Sequence, residues 1–106
     1  MAAPHYFVLL SNQILTMTNS EILSHLDKDL ERTFEIFKKQ LLDQTILYKT
    51  NPNYILKYNL IAGDFIFALK ALIEAALIVL TDNVSADKAY KIGEVYAAKF
   101  HELRPS

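Results

Sequence analysis

Residues 60–80 read LIAGDFIFALKALIEAALIVL, and only Asp64, Lys70 and Glu74 among them carry charge. A helix this apolar around its whole circumference must be enclosed by protein or by lipid. Lipid fails on energy. Three charges near the middle of a span cost together on the order of 7 to 10 kcal/mol, and the Leu, Ile, Phe and Val residues return only about 4 to 7 kcal/mol. The flanks carry no asymmetric cluster of Lys or Arg. No membrane span is expected here, so the segment reads as a helix from about Tyr54 to Asp82 wrapped in protein.

Steps of 100 degrees divide this helix into two faces. A broad face holds Tyr54, Tyr58, Ile61, Phe65, Leu69, Leu72, Ala76, Val79 and Leu80. A second face holds Leu56, Leu60, Gly63, Phe67, Ala71 and Ile78, with Lys70 and Glu74 beside them. Positions 56, 60, 63, 67, 70 and 74 alternate steps of four and three, the spacing of a helix-packing seam. One long neighbour covers the broad face. The second face needs another cover, for which a third helix and the N-terminal segment are the candidates within the chain.

Outward from this helix the chain supplies few candidates. Thr18-Asn19-Ser20-Glu21 is a capping box ahead of an apolar-periodic run. It predicts a helix to about Lys49 with Leu23, Leu26, Leu30, Phe34, Phe37 and Leu41 inward. Asn51-Pro52 marks the start of the central helix, with Asn as cap and Pro at the first helical position. The short connection before it predicts antiparallel packing of the two long helices. Ser85 is expected to cap a third helix from Ala86 to about Leu103, with Ala89, Ile92, Tyr96, Phe100 and Leu103 inward. A short helix from Pro4 to about Leu15 is expected at the amino terminus, and Tyr6–Leu10 reads equally as a strand.

These lengths do not match. A third helix of ~27 Å faces a central helix of ~42 Å. Some apolar length is left for another subunit, and a two-fold dimer is the default symmetry. The expected fold is therefore all-α: an antiparallel bundle of three long helices plus a short N-terminal helix, in one domain over residues 1–106, as a dimer. A short fourth helix closing a monomeric bundle is the competing arrangement.

Composition narrows function by exclusion. The 106 residues contain no cysteine, which removes disulfides, Cys-based zinc sites and thiol chemistry. It also fits a reducing compartment, and a cytoplasmic location is expected. Residues 1–20 lack the basic start and the long apolar run of a secretion signal. Net charge is -1 and Lys38-Lys39 is the only adjacent basic pair, so no nucleic-acid partner is expected.

No motif carries chemistry. His5, His25 and His101 are the only imidazoles, and Glu21–His25 or His25–Asp29 gives at most half of a metal site. No cofactor and no metal are expected. No Ser stands in a nucleophile elbow, and Gly63 and Gly93 stand singly within helices, where close helix approach explains them. Asp64, Lys70 and Glu74 could act as acid and base groups, but nothing supplies a nucleophile or an oxyanion site beside them. The chain is not expected to be an enzyme.

The expected function is a non-enzymatic helical protein–protein interaction module, such as a small regulator, adaptor or inhibitor. Its interface would be the seam of Leu56, Leu60, Gly63, Phe67, Lys70, Glu74 and Ile78, and its partner a second copy or a helical protein. The alternative is a small-molecule sensor or carrier that holds an apolar ligand between helices, with Asp64, Phe65, Phe67 and Glu74 as the first residues to line the site.

Overall fold

The computed structural model describes residues 17–43 and 52–105. Within them lie three helices and no strand: α1 (Asn19–Leu42), α2 (Tyr54–Val79) and α3 (Asn83–His101). All three pack on one another. The expected amino-terminal helix falls outside the described residues. No helix among them is long and apolar enough to cross a membrane.

Helix α1 begins where its capping box puts it. The Thr18 hydroxyl accepts from the Glu21 amide at 3.1 Å, and the Thr18 amide donates to Glu21 Oε1 at 3.4 Å. Two amides with no partner inside the helix are thereby satisfied. The helix stops at Leu42, short of the expected Lys49, because Asp43 takes an extended backbone with φ -64° and ψ 139°. Its inward stripe is Ile22, Leu26, Leu30, Phe34 and Leu41, with Leu23 and Phe37 half-buried.

Helix α2 starts two residues later than Pro52 suggests, at Tyr54. Helix α3 starts earlier than expected. Asp82, not Ser85, is its cap, and Asp82 Oδ1 accepts from the Ser85 amide at 2.6 Å. Hydrogen bonds from the Ser85 amide first, then from the Ser85 and Asn19 side chains, hold the Asp82 carboxyl below the usual carboxylate range. Ser85 itself is buried inside the first turn.

Polar clasps at the two ends fix the antiparallel order. At one end the Asn19 side-chain amide donates to Thr81 Oγ1 and to Asp82 Oδ2, each at 2.8 Å. The start of α1 is thus tied to the end of α2. At the other end Lys57 Nζ donates to the Asp43 carbonyl at 3.0 Å, and the Tyr54 hydroxyl donates to the Leu103 carbonyl. The start of α2 therefore meets the ends of both α1 and α3.

One aromatic from each helix meets at the centre. Phe65 of α2 stacks on Phe100 of α3 with ring centroids 4.7 Å apart and planes 18° apart. Phe34 of α1 stands edge-on to both at 6.1 Å. Leu30, Leu41 and Ala89 are fully buried around this knot. Each large side chain removed from water here contributes roughly 1.5–3 kcal/mol, so the core and not helix propensity holds the fold.

Gly93 of α3 sits directly against Ile73 of α2. A Cβ placed on Gly93 would lie 2.3 Å from Ile73 Cδ1. Glycine leaves room there for the end of the Ile73 side chain, which a methyl on residue 93 would push aside.

Candidate interaction surface

The three-helix core uses only the broad face of α2. Tyr54, Phe65, Leu69, Ile73 and Ala76 are buried, and Tyr58, Ile61, Leu72 and Val79 are half-buried. The opposite face has no cover among the described residues. Leu56 is 71% exposed, Leu60 72%, Phe67 78% and Ile78 83%. Gly63, Lys70, Ala71, Glu74 and Ala75 are exposed on the same side. All seven residues of the expected interface therefore share one solvent-facing strip, ~33 Å long from Leu56 to Ile78.

Around Gly63 the space is open. An added Cβ would meet nothing within 4 Å. Close approach within the chain thus explains Gly93 and not Gly63.

Along one edge the strip drops into an open groove of about 510 Å³ between α2 and α3. Ile66, Leu69, Ile73 and Leu77 of α2 face Gly93 and Ala97 of α3 across it. Lys70 and Glu74 form one rim, and Tyr90 and Glu94 the other. Among the described residues the one salt bridge is Arg32–Asp29, at 2.7 Å on α1, so Lys70, Glu74 and Asp64 are not ion-paired.

The four residues expected to hold a small ligand do not converge. Glu74 borders the groove, while Phe65 is spent in the aromatic core. Asp64 and Phe67 point outward from the strip. The α3 wall of the groove escaped sequence reasoning. Its signal was the spacing of Tyr90, Glu94 and Ala97, which places an aromatic, a carboxylate and a small residue on one side of α3.

A second, shallower depression of about 500 Å³ lies between α1 and α3 and is lined by Ser20, Ser24, Asp27, Lys88 and Lys91 with two apolar side chains. Its polar groups are of mixed sign and open to water. His25 and His101 are both exposed. Among the described residues no group of three or more His, Asp or Glu side chains is placed to hold a metal ion.

Chemically, the strip and its groove offer a long apolar contact edged by one cation and three carboxylates. That suits the side chains of another helix. No protein-family model, no curated protein and no solved structure matches this chain.

Proposed function

We propose that this protein is a non-enzymatic interaction module that binds protein through the outer face of α2. The observation that carries the reading is the row Leu56, Leu60, Phe67 and Ile78, four large apolar side chains each more than two-thirds exposed on one helix face. Phe67 alone presents on the order of 150 Å² of ring surface to water. Soluble monomers seldom show apolar patches beyond roughly a few hundred Å² unless the patch binds something. Helix-in-groove recognition reads such a row as anchors at steps of three and four.

A small-molecule carrier is the second reading, and the groove beside Lys70 and Glu74 is what favours it. The groove is open along its length, however, whereas small-ligand sites enclose about 70–90% of their ligand. Its shape suits side chains projecting from a partner better than it suits a free ligand.

The test places a photoreactive phenylalanine analogue at Phe67 and, as a control, at Glu35 on the wet side of α1. Illumination in the native cells is expected to yield an intermolecular protein adduct from position 67 and none from position 35. Absence of any adduct from position 67 refutes the reading.

A further inference from the structure

We propose that the outer face of α2 takes a second copy of the same helix, antiparallel, about a two-fold axis that passes between Lys70 and Glu74. This rests on the interaction-surface reading and names its partner. The argument is charge complementarity on a face that is otherwise apolar.

Lys70 and Glu74 lie one turn apart on the same flank of the strip, both exposed and neither ion-paired within the described chain. In an antiparallel pair, the same flanks of the two helices face each other. An axis midway between the two residues therefore sets each Lys70 opposite Glu74 of the other copy, twice. A parallel, in-register pair would instead set this flank against the opposite one, where Asp64 stands ~9 Å along the axis from Lys70 and Glu74 meets no cation. The sign pattern thus selects the antiparallel arrangement and its register together.

Two further features agree with that axis. Ala71, which is exposed, falls beside the crossing point. A small residue there lets two helix backbones come close, within the usual 8–10 Å between axes. One turn further out, Phe67 of each copy comes level with Ile78 of the other, so the two most exposed large side chains of the helix cover one another. Asp64, on the opposite flank, is kept from the two ion pairs. Glu94 on the groove rim is the carboxylate of α3 that competes for Lys70.

The chain has no cysteine, so a single introduced thiol reports only on itself. Under mild oxidation of the purified protein, Ala71→Cys is expected to form a disulfide-linked dimer, because its two copies lie within disulfide reach across the axis. Leu60→Cys is expected to stay unlinked, its copies being ~36 Å apart along the helices. By light scattering or sedimentation, Lys70→Glu alone and Glu74→Lys alone should each weaken the dimer about tenfold. The double variant K70E/E74K should restore it to within about threefold of the parent. Circular dichroism confirms the fold of each variant.

Linkage through Leu60→Cys as efficient as through Ala71→Cys would mean a parallel pair and overturn the proposal. So would charge reversals that fail to compensate. A monomer at all concentrations whose Phe67 photo-adduct joins a different protein overturns the proposal and leaves the interaction-surface reading standing. A monomer whose adduct joins residues 1–16 of the same chain assigns the face to that segment and overturns it as well. A monomer with no adduct removes both.

Discussion

Single residues decide how the three helices are held together, and Tyr96 shows how sharply. Its ring is buried in the core, yet its hydroxyl donates to Asp27 Oδ1 on α1 at 2.9 Å. Burial first, then the hydrogen bond to Asp27 and its charge, pushes the Tyr96 phenol up to about 12. The neutral phenol is the form the fold prefers, because a phenolate loses its donor and faces a carboxylate. The folded value lies above the ordinary one near 10. This contribution is therefore whole below about pH 10 and is lost as pH rises towards about 12. Tyr96→Phe should cost about 1 kcal/mol at neutral pH, since Asp27 is exposed and water replaces the lost donor. Urea unfolding across the alkaline range should also show the variant declining less steeply than the parent between pH 10 and 12. Parallel declines would mean that this hydroxyl does not carry the effect.

At the scale of the helices, two glycines that look alike in the sequence have different surroundings and different consequences. Gly93 is buried at the α2–α3 crossing, where a methyl would strike the end of the Ile73 side chain. The struck atom is the free end of a flexible side chain beside the open α2–α3 groove and can turn aside. The cost falls to the low end of overpacking, roughly 1 kcal/mol, against about 1 kcal/mol that alanine returns in helix propensity. Gly93→Ala should therefore leave stability within about 0.5 kcal/mol of the parent. Gly63 faces open space on the outer side of α2. Gly63→Ala should stabilise the chain by about 0.5–1 kcal/mol. Chemical denaturation of the two variants at low protein concentration checks both, and equal stabilisation would contradict the packing described. The sequence alone could not separate these glycines, because Gly93 is defined by Ile73, twenty residues away in the chain. The reading also passed over Ile73, which sits at the border of the two α2 faces. What was legible is what local chemistry dictates: the Thr18–Glu21 box, the inward stripe of α1 and the division of α2 into an inner and an outer face. Helix ends were less legible. Asn51-Pro52 and Ser85 are good start signals, but Asp82 sits three residues before Ser85 with a better acceptor for its amide, and Asn19 reaches across to hold that carboxylate in place.

The whole molecule joins these observations into one question of balance. The three helices of the described residues enclose a core around Phe34, Phe65 and Phe100, and they leave the other side of the most apolar of them exposed. Sequence patterning announced both faces of α2 and gave the broad one to a long neighbour; α1 and α3 both pack on that side and leave the second face open. If the outer face is covered by a second copy, stability is linked to association, and any species that binds only the folded form raises the melting temperature by mass action. Melting temperature should then rise with protein concentration across a hundredfold dilution series. Phe67→Glu should abolish that dependence. Because Phe67 is 78% exposed, the change removes little from the core, and the folded monomer should keep its helix content and lie within about 0.5 kcal/mol of the parent at the lowest concentration. The two curves should thus meet on dilution and separate on concentration. A parent whose melting temperature does not move, or a variant that loses its fold at every concentration, would contradict the linkage: the first because nothing associates through α2, the second because Phe67 would then belong to the core of the single chain.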